Sequence, residues 1–193
     1  MFLLSRSASL IRATLLGALA LCLPAVHAQN ATPQVGSKAP GFTLKTPEGA
    51  EVSLHGLLEQ GPVVLIVLRG YPGYQCPYCQ RQAHDFEAHA ADFAAKGAQL
   101  LLVYPGPAGN LAQHAQEFLE HAQQLPSNYH LVIDPDYVFT NLYGLRWDAP
   151  AETAYPSTFL LSRDGTVTHR KISHEHGVRT TAAEVLTELD KAM

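Results

Sequence analysis

Apolar residues along this chain recur with two different periods, and the places where the period changes mark its elements. The stretch FTLKTPEGAEVSLHGL sets two short alternating segments on either side of the turn TPEG, which predicts a β-hairpin. GPVVLIVLR is a continuous aliphatic run bounded by Gly-Pro and Gly-Tyr-Pro, the pattern of a strand buried on both faces. From Pro77 the period lengthens. Cys79, Ala83, Phe86, Ala90 and Phe93 form the apolar stripe of a helix that should end near Gly97. LLLVY then predicts another buried strand, NLAQHAQEFLEHAQQL a helix, HLVID a short strand and VFTNLY a short helix. STFLLSRDGTVTHRKI predicts a hairpin turning at RDGT, and TTAAEVLTELDKAM a final helix with Thr180 or Thr181 as its cap. Strands alternating with helices place the chain in the α/β class, with a largely parallel sheet covered on both sides and closed by an antiparallel hairpin.

The first residues are of another kind. Arg6 and Arg12 precede the apolar run ATLLGALALCLP, which ends in the small-residue pattern VHA, so residues 1–28 are expected to be a signal peptide cleaved after Ala28. The run is too short for a stable membrane anchor. Cys22 lies within it after the large Leu21, an unfavourable setting for lipid modification. Residues 29–35 are expected to be a flexible lead-in, and 36–193 a single domain. These features predict export, to the periplasm. The chain of 193 residues has a formal net charge of −4, and loss of two leader arginines makes the remainder more acidic. With no basic stripe to neutralise phosphates, nucleic acid is not an expected partner.

After cleavage only Cys76 and Cys79 remain, in GYPGYQCPYCQRQ. A closely spaced pair in an oxidising compartment can cycle between dithiol and disulfide, whereas as a structural staple it would close too short a loop to stabilise much. Pro77 fits the first helical position and puts Cys76 at the cap, where unpaired N–H groups and the helix dipole favour a thiolate. Cys79, one turn in on the apolar stripe, should stay a protonated thiol facing inward. Arg69 and Arg81 are near in sequence and are candidates to add positive potential. A structural zinc site lacks a second cysteine pair, and His84 and His89 are poorly spaced for one face. No cofactor or metal is expected.

With its cysteines between a buried strand and a helix, and with VGSKAPGFTL, VVLIVLRGYPGYQCPYC, LVIDPDYVFTNLYGL and STFLLSRDGTV in order, the chain resembles the thioredoxin-fold superfamily. Within it, the chain looks like the alkyl hydroperoxide reductase/thiol-specific antioxidant group, the peroxiredoxin-like or redoxin domains. The resemblance implies a central mixed sheet flanked by helices with an N-terminal hairpin extension, and thiol-based redox chemistry. It also sets two registers against each other. In the peroxiredoxin pattern Pro72 matches a Pro, Cys76 stands where Thr or Ser belongs, and Cys79 is the peroxide-attacking sulfur. In the thioredoxin pattern Cys76 attacks and Cys79 resolves. The peroxiredoxin Arg expected just ahead of STFLL is replaced by Tyr155-Pro156, a position that in thioredoxins carries a cis proline against the cysteines. That exchange favours dithiol chemistry, with Arg146 and Arg179 as candidate replacements for the missing Arg.

The expected activity is a thiol–disulfide oxidoreductase or peroxiredoxin-like antioxidant enzyme. Cys76 and Cys79 are its catalytic pair, Pro72, Tyr74, Pro77, Tyr155 and Pro156 its groove or support, and Arg69 and Arg146 candidate thiolate stabilisers. Its partners would be a protein disulfide or a hydroperoxide and an external thiol reductant. The alternatives are a peroxidase in which Cys79 attacks, and a periplasmic copper-binding module using the cysteines with His174 and His176 of SHEHG. Tyr71, Tyr74 and Tyr78 could line a groove, Trp147 belongs to the core or its edge, and Asp134 and Asp164 are turn residues.

Overall fold

The computed structural model describes residues 31–119 and 125–192. The leader, the start of the lead-in and the end of the predicted NLAQHAQEFLEHAQQL helix lie outside the described residues.

Strands β1 (Thr43–Lys45) and β2 (Glu51–Ser53) form the expected hairpin, pairing Thr43 with Ser53. The second alternating segment does not continue as strand. The Ser53 side chain accepts from the Gly56 N–H and starts helix α1 (Leu54–Gln60). The wholly buried β3 (Val63–Val67) follows, then α2 (Pro77–Ala88), α3 (Ala90–Ala95) and β4 (Gln99–Gly106). The predicted single helix is thus two, broken at His89, whose backbone leaves helical geometry and whose Nδ1 bonds the Asp85 carbonyl at 2.8 Å. Next come α4 (Leu111–Leu119), β5 (Tyr129–Pro135), α5 (Val138–Leu142), β6 (Ser157–Leu161), β7 (Val167–Ile172) and α6 (Ala182–Ala192). Thr181 caps α6 in a reciprocal box: its Oγ1 accepts from the Glu184 N–H, and Glu184 accepts from the Thr181 N–H.

The sheet runs β2-β1-β5-β4-β3-β6-β7. β3, β4 and β5 pair in parallel, β6 and β1 run against them, and the edge strands β7 and β2 each pair antiparallel with those neighbours, so the sheet is mixed. Because strand side chains alternate, β3 serves two cores. Val64, Ile66 and Leu68 face α2, α3, α4 and α6, together with Cys79, Phe86, Phe93 and Val185. Val63, Leu65 and Val67 face α1 and α5, together with Leu57, Phe139, Tyr143 and Phe159. From Thr32 onward the lead-in is bonded to this body, Thr32 Oγ1 to the Gly144 carbonyl and the Pro33 carbonyl to Arg170. Asp134, expected as a turn residue, is fully buried and accepts from the N–H groups of Phe139 and Thr140, which fixes the start of α5.

The path from β3 to α2 is set by backbone contact. Gly70 has φ +70°, and a Cβ there would lie 1.9 Å from the Pro105 carbonyl oxygen, so only glycine lets the loop pass β4. Beside it Arg69, 2% exposed, donates to Glu152 at 2.7 Å, to the Tyr74 hydroxyl at 2.6 Å and to the Ala151 carbonyl at 2.7 Å. The other Glu152 oxygen bonds His176 at 2.8 Å. One carboxylate therefore ties together the cysteine loop, through Arg69 and Tyr74, and the segment from Ser173 to Arg179.

Burial opposes the charge on Glu152, and the hydrogen bonds from Arg69 and His176 overcome it, holding its pKa below the usual carboxylate value. Its stabilisation is therefore present above the unfolded-state pKa and lost as pH falls through the lower folded value. Glu152→Gln keeps the shape but strands a buried guanidinium, and should cost about 3–5 kcal/mol. A lowered urea midpoint with unchanged slope would report it.

Candidate functional site

Cys76 is the N-cap of α2, in extended backbone geometry with Pro77 at the first helical position. The fold delivers it there because β3 ends on one side of the Gly70 turn and the helix begins on the other. Cys76 is 1% exposed and Cys79 is fully buried, and both are free. The pair is strongly asymmetric. A hydrogen bond from the Cys79 thiol is the main reason the Cys76 pKa falls to about 5; burial opposes it, and backbone N–H groups of Cys79 and Tyr78 and the charge of Arg179 assist. Burial pushes the Cys79 thiol well above its ordinary value, and the neighbouring Cys76 adds to the rise. At neutral pH the arrangement holds one thiolate and one thiol, the thiol donating to the thiolate.

The guanidinium at the sulfurs belongs to Arg179. Its Nη2 lies 3.9 Å from the Cys76 sulfur and 3.8 Å from the Cys79 sulfur. The assignment of Arg69 and Arg146 as thiolate stabilisers needs correction on this geometry. Arg69 is taken up by Glu152, Tyr74 and Ala151, and that carboxylate with burial leaves it a structural cation. Arg146 is turned to the carbonyls of Trp147, Glu152 and Thr153 and lies over the Tyr137 ring at 4.1 Å. Arg179 reaches the sulfurs because α2 holds its segment down. Gln82 donates to the Thr180 carbonyl at 3.1 Å, and Asp85 accepts from the Ala182 N–H at 2.7 Å. Arg179 Nε and Nη1 and Gln82 Oε1 are buried with no protein partner among the described residues.

On the opposite side Gln75 anchors the cysteine loop, donating to the His114 carbonyl of α4 at 2.7 Å and accepting from the Tyr104 hydroxyl at 2.8 Å. Tyr71 stacks on the His114 ring with centroids 3.7 Å apart.

Of the predicted groove residues, Pro72 lies half-buried in the loop and Tyr74 and Tyr78 are exposed beside the cysteines. Tyr155 stacks on Trp147, with centroids 4.9 Å apart, and meets the His174 ring edge-on. Pro156 is buried, and its peptide bond is trans, since no cis peptide occurs among the described residues. The cis geometry implied by thioredoxin resemblance is therefore absent. Pro156 instead extends the β6–β7 ladder, its carbonyl accepting from the Ser173 N–H at 2.9 Å, at a strand start where a missing N–H costs nothing. His176 is engaged by Glu152 and His174 meets Tyr155; no cluster of metal-ligating groups forms among the described residues. Glu152 and Gln82 went unmarked in the sequence. Gln82 carried a usable signal, since it lies one turn beyond Cys79 on the inward side of the helix. Glu152 carried none, as it sits in an aperiodic loop.

The sequence profile of the AhpC/TSA family matches residues 35–170. A Helicobacter pylori protein designated peroxiredoxin bcp is 36% identical over 110 residues, which make up 57% of this chain and 65% of that protein. The chain thus spans just under two thirds of the length of that curated relative. A Mycobacterium tuberculosis peroxiredoxin is 29% identical over 137 residues, 68% of this chain and 80% of its own. The fold is shared with the crystal structure of peroxidoxin BcpB from Mycobacterium tuberculosis, at a TM-score of 0.68 and 22% identity over 83% of this chain and 99% of that one. It is also shared with a Chlorobium tepidum structure described as a thiol:disulfide interchange protein DsbE, at a TM-score of 0.61 and 25% identity, covering 83% and 98% of the two chains. The chain belongs to the AhpC/TSA family.

Proposed function

We propose that the protein is a thiol oxidoreductase that reduces hydroperoxides, with Cys76 as the attacking sulfur and Cys79 as the resolving one. The observation that carries this reading is the asymmetry of the pair: a thiolate at the helix cap, pKa about 5, accepting from a buried thiol and facing the Arg179 guanidinium. The relatives named as peroxiredoxins favour a peroxide as the oxidant. The reverse assignment, in which Cys79 attacks, would require ionising the fully buried sulfur first.

The Cys76 thiolate takes the terminal oxygen of the hydroperoxide with its hydrogen; the O–O bond breaks, and the departing alkoxide takes a proton from water. Cys76 is then a sulfenic acid. The Cys79 sulfur attacks the Cys76 sulfur, the S–O bond breaks, and the hydroxyl leaves as water with the Cys79 proton. The two electrons come from the dithiol, and an external thiol reductant restores it by exchange. Arg179 touches both reacting sulfurs and stabilises the thiolate before attack and the anionic oxygen during it.

A second reading, exchange with protein disulfides, draws on the Cys-Pro-Tyr-Cys pair at a helix start and on the likeness to the DsbE structure. Both use the same Cys76-first chemistry. Export remains part of the proposal, resting on the leader-like residues 1–28.

In anaerobic stopped-flow with hydrogen peroxide, Cys79→Ser should still consume one equivalent and accumulate a Cys76 sulfenic acid, while Cys76→Ser should lose the fast phase. A fast phase retained in Cys76→Ser would reverse the roles. The wild-type rate should rise with pH through about 5 and level off above it, following the thiolate fraction. Arg179→Gln should move that inflection up by about one pH unit and slow the plateau about tenfold.

A further inference from the structure

Beside the cysteines, on the Arg179 side, lies an open groove of about 250 Å³ between the first turns of α2 and the segment leading into α6. Tyr78, Arg81, Gln82, Arg179 and Thr181 line it. Its charge is unusual for this molecule. The chain is acidic overall, yet two guanidinium groups lie on this one groove, and neither meets a carboxylate among the described residues, whereas Arg69 and Arg146 do. Arg81 lies over the Tyr78 ring at 4.6 Å, a contact that leaves its charge in place. The one carboxylate in the lining, Asp85, is occupied in capping the first N–H of α6.

We propose that this groove seats a carboxylate carried by the substrate, so that anion-bearing disulfides or hydroperoxides reach Cys76 faster than neutral ones of the same size. The claim rests on Cys76 being the reactive sulfur. Arg179 links the two functions, since its Nη2 faces the sulfurs while its side chain lines the groove. A carboxylate held in the groove by Arg81 and the positive field of Arg179 would stand beside the first turn of α2, the helix that carries Cys76 at its cap. Gly177 completes the shape, because a Cβ there would come within 3.2 Å of the Tyr78 ring and crowd the opening.

The test uses two aromatic disulfides with the full-length reduced protein: the dicarboxylate dithiobis(nitrobenzoate) and the uncharged dithiodipyridine. In each reaction the Cys76 thiolate attacks one sulfur, the S–S bond breaks, one aryl thiolate leaves, and Cys79 then displaces the second with loss of its proton. The measured quantity is the ratio of the two second-order rates. Arg81→Gln should lower the dicarboxylate-to-neutral ratio about tenfold, Arg81→Lys should retain most of it, and Lys45→Gln on β1, next to the far edge strand, should leave it unchanged. Added salt should depress the wild-type ratio as well. An unchanged ratio in Arg81→Gln overturns the carboxylate seat. Slow reaction of wild type with both reagents would instead overturn the assignment of Cys76 as the reactive thiolate.

Discussion

The buried pair of Arg69 and Glu152 is the constraint around which the active end of this molecule is arranged. Its worth lies less in the attraction between the charges than in the cost of separating them, because either one alone would be stranded away from water. Each partner has been given work on a different segment. Arg69 continues through Tyr74 into the loop that carries Cys76, and Glu152 continues through His176 into the segment that carries Arg179. Two loops far apart in sequence are thereby indexed to one another.

Within that frame the two cysteines have opposite electrostatic fates although they are separated by two residues. The cap position supplies Cys76 with backbone donors and a neighbouring thiol, while one turn further the same helix carries Cys79 into the apolar core. Burial thus performs two tasks. It keeps the Cys79 thiol protonated, and it sharpens the preference for placing the single negative charge at the cap beside Arg179.

Much of the scaffold was legible in the hydrophobic pattern, because strands buried on both faces and a stripe-bearing helix leave distinct periods. VVLIV and the Cys79-to-Phe93 stripe are both of this kind. What the pattern missed turned on local competition. Ser53 converts an apparent strand into α1 by offering its oxygen to Gly56, and His89 interrupts a stripe whose spacing is continuous. At the site, the cysteines, the cap and the order of their acidities followed from a short motif. The choice among arginines did not, since Arg69 is nearest in sequence but was already claimed by Glu152, and Arg179 comes from a hundred residues downstream. No local signal encodes that meeting. It depends on Gln82 and Asp85 gripping the start of the last helix.

Gln75, the residue just before Cys76, is pinned between Tyr104 and α4. The loop is fastened on that flank and, through Tyr74 and Arg69, on the other. Under the proposed chemistry the Cys76 sulfur meets its partners from a backbone held at both ends, so the reach and the angle of approach fall to the incoming molecule.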